Sequence, residues 1–233
     1  MKMCAKQQKK PKSKSKLEPP KLPEQLPELV WGDQTIQSET EYSQFVISDC
    51  VIEDQEAYRA AFEQVIFRNV TFASTTLAKV ELTDVIFDKC DLSNVSLQDA
   101  TIHRTEFRDC KIMGLDLTGA TLRNLALRDC MGDYSTYRFT NMKQVSFLDC
   151  SLRGADFYGS ELQQVRFDGS NLDQAQLSST KLEGIDLSVC EFTELGVSIA
   201  DLQGCIIGRE QASVFAGLLG LVLKQDVWDE DDA

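Results

Sequence analysis

The chain has 233 residues with 24 basic and 37 acidic side chains, which gives a net charge of −13 at pH 7. This charge is unevenly divided: residues 1–24 hold eight lysines and two acids, so residues 25–233 carry −19. An acidic body repels nucleic acid and attracts basic grooves, and this excludes direct nucleic-acid binding by that part of the chain.

The N-terminal segment, residues 1–28, is rich in lysine, serine and proline. Such a composition cannot bury enough apolar area to order itself, so it predicts a disordered basic tail. The tail is either a solvated end or an electrostatic tether to an acidic or nucleic-acid partner. Residues 29–44, which include Trp31, are expected to cap the repeat that follows, because an open sheet edge has to be covered.

Residues 45–207 repeat every five residues: a large apolar residue recurs, with a small or β-branched residue two places before it. Period five fits neither a helix nor a flat strand. Like residues also recur at multiples of twenty, as in the cysteines at 50, 90, 110, 130, 150 and 190. We therefore expect twenty-residue coils of four words each, stacked at about 4.8 Å like neighbouring strands.

Two segments, 53–61 and 131–140, break this pattern, because Ala57 and Gly132 stand where a large residue is expected. Departures from a rigid scaffold are where binding residues concentrate, although each segment could also be a tolerated irregular face. Tyr134 and Phe139 are predicted to face solvent, which favours a binding loop in the second segment. The candidate partner-binding residues are Glu53, Asp54, Glu56, Asp133, Tyr134, Tyr137 and Phe139.

The five-residue period ends after Ile207. Residues 208–224 read as a short helix followed by an extended strand, more apolar than a cap facing water should be. This surplus predicts a capping and dimerisation segment. The expected dimer contacts are Phe215, Leu218, Leu219 and Leu221, and residues 225–233 form an acidic tail.

The sequence offers little for catalysis. His103 is the one histidine, and no nucleotide-binding or metalloprotease motif occurs. Seven of the eight cysteines occupy the small inward position, and without a Cys-x-x-Cys pair a zinc site is not expected. We expect no enzyme activity, no cofactor and no metal. The absence of a signal peptide or a long apolar run predicts a cytoplasmic protein without membrane contact.

The five-residue words resemble the pentapeptide-repeat family, whose pattern is A(D/N)LXX. The resemblance implies an all-β solenoid, a right-handed quadrilateral β-helix with four words to a coil. Within that family, several runs are similar to the quinolone-resistance (Qnr-type) proteins: residues 90–93, 114–120, 201–204, 211–213 and 218–221.

The Qnr-type resemblance implies a DNA-mimicking homodimer that binds a type II topoisomerase. The partners would be DNA gyrase and, as a second target, topoisomerase IV, and the protein would protect them from quinolones or related toxins. A pentapeptide-repeat scaffold with an unrelated partner stays open, because a fold alone does not confer function.

Charge density limits what mimicry alone could achieve. Residues 45–207 carry a net −11. Over about eight coils this is one charge per ~3.5 Å, against one per ~1.7 Å in B-DNA. Charge would attract a DNA-binding groove, and specific contacts would have to select the partner.

Overall fold

The computed structural model describes residues 17–32 and 34–222 and shows a parallel β-solenoid of about 8 coils, with one short helix at its C-terminal end. The strands are β1 (Glu41–Glu53), β2 (Glu56–Tyr58), β3 (Ala61–Ala73), β4 (Thr76–Ala78), β5 (Glu81–Thr83), β6 (Ile86–Asp88), β7 (Thr101–Arg108), β8 (Thr121–Arg128), β9 (Asn141–Leu148), β10 (Glu161–Gln163), β11 (Ala175–Gln176) and β12 (Leu195–Gly196). The helix is a 3₁₀ helix, Glu210–Leu219.

Every pairing between two of these strands joins residues twenty apart, for example Glu41↔Ala61 in β1 and β3 and Leu127↔Phe147 in β8 and β9. Single bridges carry the same register onward to Asp186↔Ile206. The twenty-residue coil predicted from the columns of cysteine and phenylalanine is confirmed.

The coils are four-sided because the backbone turns at every fifth residue. These corner residues have a positive φ, as at Arg104 (47°), Asp109 (51°), Gly114 (64°) and Gly119 (73°). The left-handed region costs most residues about 1–2 kcal/mol, and glycine, asparagine and aspartate occupy it most readily. Asp, Asn and Gly accordingly hold many of the corners.

We number the four faces by one reference coil, and each face includes the residues that lie twenty positions before and after. Face 1 contains residues 101–103, face 2 contains 105–108, face 3 contains 110–113 and face 4 contains 115–118. The corner at 114 joins faces 3 and 4, and the corner at 104 joins faces 1 and 2.

The core is a continuous stack of the large inward residues. Phe87 stacks on Phe67 with ring centroids 5.0 Å apart and on Phe107 at 4.6 Å. The small inward cysteines are buried, and their thiols are satisfied by backbone oxygens: Cys90 Sγ donates to Phe67 O at 3.3 Å, and Cys110 Sγ to Phe87 O at 3.4 Å. The inward positions assigned from the sequence are therefore correct for these columns.

The N-terminal end of the core is covered by the segment that precedes β1. Trp31 and Ile36 are buried and belong to the core cluster. Gln55, in the first coil, accepts a hydrogen bond from Ile36 N at 2.7 Å. Apolar burial and a satisfied backbone together close this end of the stack.

Residues 17–28 do not behave as the disordered tail that their composition predicts. Together with Leu29 they form an extended strap, residues 17–29, that lies along the rod. Leu29 N donates to Val46 O at 2.7 Å, Lys21 N to Asp84 Oδ1 at 2.8 Å and Glu18 N to Asn124 Oδ1 at 3.2 Å. The prolines that suggested disorder instead favour an extended chain, which loses little entropy on docking. Residues 1–16 lie outside the described residues.

The 3₁₀ helix closes the C-terminal end. The Gln211 side chain donates to Leu187 O (2.9 Å) and Cys190 O (2.8 Å), and the Phe215 ring lies 6.0 Å from that of Phe192. The helix ends at Leu219 and is capped by Gly220, whose φ of 71° is favourable for glycine. The strand expected after the helix is absent from residues 220–222, and residues 223–233, with the acidic tail, lie outside the described part of the chain.

Candidate protein-binding surfaces

The first predicted irregular segment, residues 53–61, keeps the regular coil, so the prediction of irregularity is wrong there. Strand β2 pairs with β4 in the normal register, and Ala57 is buried at the inward position. Asp54 and Arg59 form ordinary corners with φ of 52° and 54°. Glu53, Asp54 and Glu56 are exposed on a smooth wall and do not project on a loop.

The second segment, residues 131–140, also stays within the solenoid. Bridges Met131↔Ser151 and Thr136↔Asp156 hold it in register with the next coil. Gly132 leaves no gap, because a Cβ placed on it would lie 3.2 Å from side-chain atoms of Ile112 and Leu152. The coils above and below fill the space, so the prediction of a projecting loop is wrong.

Tyr137 was predicted to bind a partner, and the structure places it in the core instead. It is 0% exposed, and its ring stacks on Phe157 at 4.7 Å and meets the Phe147 ring edge-on at 5.6 Å. The five-residue phase does put position 137 inward, thirty residues after Phe107. A partner cannot contact Tyr137 while the coil is folded.

The hydroxyl of Tyr137 is fully buried and makes no hydrogen bond of normal geometry, because the neighbouring Ser135 hydroxyl donates to Gly132 O. Burial raises the pKa of this phenol well above its usual range, since the phenolate would lose its hydration. A neutral hydroxyl without a partner inside an apolar stack is a cost to the fold.

We expect Tyr137→Phe to stabilise the protein by about 1–3 kcal/mol, the desolvation penalty of an unsatisfied buried group. Urea unfolding followed by circular dichroism measures the change. Tyr134→Phe is the matched control, because the Tyr134 side chain is exposed, and its stability should stay within about 0.5 kcal/mol of the wild type. A destabilised Tyr137→Phe protein would contradict the assignment and indicate a bound water at the hydroxyl.

Tyr134 and Phe139 face solvent, as predicted, and are 67% and 56% exposed. Each ring lies over a corner glycine of the next coil: a Cβ on Gly154 would come within 2.8 Å of the Tyr134 ring, and one on Gly159 within 2.8 Å of the Phe139 ring. Both glycines have a positive φ. The absent side chains give the rings a flat support, which holds them on the surface without a loop.

Arg138 joins Phe139 to Tyr158, whereas Tyr134 lies at the other corner of face 4. The Arg138 guanidinium lies 4.9 Å from the Tyr158 ring centroid and 5.6 Å from that of Phe139, and Nη1 donates to Asp156 Oδ2 at 2.9 Å. We call Tyr134, Arg138, Phe139 and Tyr158 the aromatic patch. Sequence reasoning missed Tyr158, although its position twenty residues after Arg138 on face 4 marks it as a neighbour.

The predicted acidic residues divide between two faces. Glu53, Asp54 and Asp133 lie on face 3 or its corner, and Glu56 lies on face 4. Face 3 with its corner at 114 is the most acidic side, with seven acids and two bases: Glu53, Asp54, Asp91, Asp133, Asp173, Glu191 and Glu194 against Lys111 and Arg153. The corresponding net charge of face 4 is −1.

The two bases of face 3 are already paired, Lys111 with Asp91 (3.9 Å) and Arg153 with Asp173 (3.7 Å). Within residues 17–32 and 34–222, the other five acids of this face have no ion pair. Glu53 and Asp133 lie four coils apart, about 19 Å at 4.8 Å per coil, so the predicted residues form a line and not one site. Tyr134, at the corner of faces 3 and 4, connects this acidic line to the aromatic patch.

The predicted dimer contacts also divide. Leu218, Leu219 and Leu221 are exposed at the C-terminal end of the rod. Phe215 is buried against its own last coil, so it caps the core and is not available to a second chain. The sequence grouped Phe215 with the leucines as a dimer contact, whereas in the structure its ring lies against Phe192 of the last coil.

The remaining chemistry of the surface is sparse. The described residues contain no group of three His, Cys, Asp or Glu side chains that could hold a metal ion. Burial raises the pKa of Cys190 to about 12, so its thiol stays protonated and is a poor nucleophile. In the described ranges, 17–32 and 34–222, no helix is long and apolar enough to span a membrane.

Comparisons with known proteins identify the repeat. A family model described as "Pentapeptide repeat region" matches residues 60–137 and 80–157, and one described as "Pentapeptide repeats (8 copies)" matches residues 170–208. The uncharacterized protein YisX of Bacillus subtilis is 39% identical over 211 residues, which are 91% of this chain and 99% of YisX.

Two solved structures also align with this chain. HetL from Nostoc sp. strain PCC 7120, which is involved in heterocyst differentiation regulation, aligns with 17% identity and a TM-score of 0.48, covering 76% of this chain and 88% of HetL. QnrB1, a plasmid-mediated fluoroquinolone resistance protein, aligns with 18% identity and a TM-score of 0.39, covering 81% of this chain and 99% of QnrB1. The family models cover more than half of the sequence and YisX nearly all of it, and the chain belongs to the pentapeptide-repeat family.

Proposed function

We propose that this protein is a non-catalytic DNA mimic that binds a type II topoisomerase, DNA gyrase first and topoisomerase IV as a second target. It would protect that enzyme from quinolones or related toxins. The observation that carries the proposal is the junction of an acidic face with an exposed aromatic patch at Tyr134, in the middle of the rod.

The acidic face supports the attraction to a DNA-binding groove. Five acids without an ion pair project from face 3 along most of its length, from Glu53 to Glu194. Their common orientation gives the rod one strongly negative side, which steers it toward a basic groove and raises the association rate.

The aromatic patch supports a fixed position in that groove. A regular acidic wall presents similar charges at every coil. Charge alone would therefore allow the rod to bind at several positions along the groove. Tyr, Arg and Phe side chains supply large contact areas with little entropy to lose, and a few such residues carry most of the energy of an interface. Tyr134, Phe139, Tyr158 and Arg138 form such a set on the least charged face.

The experiment is a supercoiling assay with purified gyrase, a quinolone and this protein. We expect the wild type to restore supercoiling and the Tyr134→Ala/Phe139→Ala double variant to need at least about 30-fold more protein, since each hot-spot residue contributes about 1–2 kcal/mol. Arg108→Ala is the control, because Arg108 is exposed on face 2, away from the acidic face and the aromatic patch, and it should protect like the wild type.

If the folded wild type fails to protect gyrase, the topoisomerase is not the partner. If the double variant protects as well as the wild type, the aromatic patch is not the contact and the acidic face remains. Both rings lie on the surface over glycines, so we expect the double variant to keep its fold, which circular dichroism checks.

We also propose that two copies join end to end through the exposed Leu218, Leu219 and Leu221. Three neighbouring exposed leucines, continued by the exposed Val222, form an apolar end on an otherwise polar rod. Joining the ends would roughly double the length of the negative side that a DNA-binding groove meets.

A further inference from the structure

The strap contacts one corner column of the rod by its backbone. Lys21 N donates to Asp84 and Lys21 O accepts from Gln64 Nε2 at 3.1 Å, while Glu18 N donates to Asn124. Asp84 and Asn124 are two coils apart, about 9.6 Å, and three residues of extended chain span that distance at about 3.1 Å each. The rod thus holds an extended peptide by its main chain.

Beneath the strap runs a stripe of outward apolar residues on face 2, interrupted by Glu106, which is paired with Arg108. Val46, Ile86 and Ala126 each precede an inward residue and should face water, yet they are only 6%, 8% and 6% exposed. On face 3 the equivalent position before the inward residue is open, as at Val51, which is 55% exposed. The stripe is therefore an apolar surface that needs a cover, and the half-buried Leu22 and Leu26 of the strap supply apolar side chains.

The Asp84 carboxylate is positioned to accept a hydrogen bond from the main chain of such a peptide. The Asp84 side chain is almost completely buried and is held by Arg104 in a two-pronged ion pair, Nε–Oδ1 at 2.6 Å and Nη2–Oδ2 at 2.7 Å. Burial opposes its ionisation, but the hydrogen bonds from Arg104 and from Lys21 N outweigh burial and lower the pKa of the carboxyl. The charged carboxylate is thus fixed in place as an acceptor.

A cavity adjoins Leu17, the first described residue of the strap. It has a volume of about 610 Å³ and extends over Ala126, Ser146 and Leu148, with Arg128 and Arg166 on its sides. Glu106 also lines the cavity, and its carboxylate is paired with Arg108.

We propose that face 2 is a docking surface for an extended peptide of alternating leucine and proline preceded by acidic residues, and that the strap is an intramolecular ligand that such a peptide displaces. The leucines would lie on the stripe, two backbone N–H groups three residues apart would donate to Asp84 and Asn124, and the acidic residues would meet Arg128 and Arg166. This surface is separate from the acidic face and the aromatic patch, and the proposal does not depend on the partner proposed above.

The probe is a fluorescein-labelled synthetic peptide with the sequence of residues 17–29 preceded by two glutamates. Fluorescence anisotropy measures its binding to the full-length protein and to the full-length Leu22→Asp/Leu26→Asp variant, in which charges release the strap. A tethered strap competes at an effective concentration of about millimolar, so we expect the variant to bind the probe at least about tenfold more tightly than the wild type.

Two substitutions in the released variant test the mode of binding. Asp84→Ala removes the main-chain acceptor and should weaken the probe by about tenfold or more, the scale of a lost charge-assisted hydrogen bond. Asp91→Ala is the matched control, because Asp91 pairs with Lys111 on face 3, away from the strap, and should leave binding unchanged. A folded release variant that does not bind the probe, or that binds it no better than the wild type does, overturns the proposal.

Hydrogen exchange of the wild type provides a second test that needs no variant. The amides of Glu18, Lys21 and Leu29 should exchange at least about tenfold more slowly than in a free peptide, and adding excess probe should remove the protection of Glu18 and Lys21. Exchange of these amides at the free-peptide rate, or protection that persists at a probe excess of about a hundredfold, would also overturn the proposal.

Discussion

Replacing Phe107 by alanine will lower the free energy of unfolding by about 3–5 kcal/mol. The Phe107 ring stacks on Phe87 at 4.6 Å and lies in register with Leu127 of the next coil, so its removal leaves a void between coils. In a solenoid each coil contacts only its neighbours, so the surrounding core cannot collapse from several directions to refill that void. Urea unfolding followed by circular dichroism measures the loss.

Arg108→Ala is the control for this prediction. The Arg108 side chain is exposed next to Phe107 and pairs with Glu106 on the same wall. Exposed ion pairs contribute about 0–1 kcal/mol, so the variant should unfold close to the wild type. If Phe107→Ala and Arg108→Ala lower the free energy of unfolding equally, the assignment of Phe107 to the core and Arg108 to the surface is wrong.

Replacing Leu219 by aspartate is expected to convert an end-to-end dimer into a monomer, halving the mass measured by light scattering. The side chain is exposed at the C-terminal end, so the monomer tolerates the charge, whereas the proposed junction would bury it without a partner. Leu218→Asp should act in the same way, because Leu218 is exposed one residue earlier.

Phe215→Asp should behave differently from both leucine variants. It would place a charge against Phe192 in the last coil and lower the melting temperature as well as the mass. Val30→Asp, at an exposed site near the opposite end of the rod, is the control and should keep the wild-type mass. A wild type that is monomeric at micromolar concentration would exclude the dimer.

The five-residue phase was sufficient to predict the coil, its twenty-residue register and the inward columns. It fails only where a single small residue replaces a large one and imitates a break. Gly132 and Ala57 stay inward because neighbouring coils fill the space above and below them, a property of the stack that one word does not reveal. Tyr137 could have been assigned to the core by keeping the phase through the segment.

The strap was missed because lysine and proline content was read as disorder. The signal lay elsewhere, in Val46, Ile66 and Ile86, three outward apolar residues spaced by twenty on one face. A column of this kind predicts a cover as soon as the register is known. Which segment supplies the cover depends on hydrogen bonds to Asp84 and Asn124, and these need the three-dimensional arrangement of the corners.

Only part of the aromatic patch could be predicted from the sequence. Tyr134 and Phe139 were recognised as outward, but their supports were not, although Gly154 and Gly159 follow each of them by twenty residues. Tyr158 and Arg138 show the same spacing. The net charge of each face can also be predicted from the sequence once the register is known. The face that binds a partner cannot be predicted in this way.

The column of buried thiols allows the opening of the stack to be followed by chemical labelling. Cys90, Cys110, Cys130 and Cys150 mark four successive coils, and each is shielded from solvent by the coils on either side. A thiol reagent can reach one of them only when two adjacent coils part. The order in which the four become labelled would therefore report whether the stack unzips from its N-terminal end, from its C-terminal end or as a single unit.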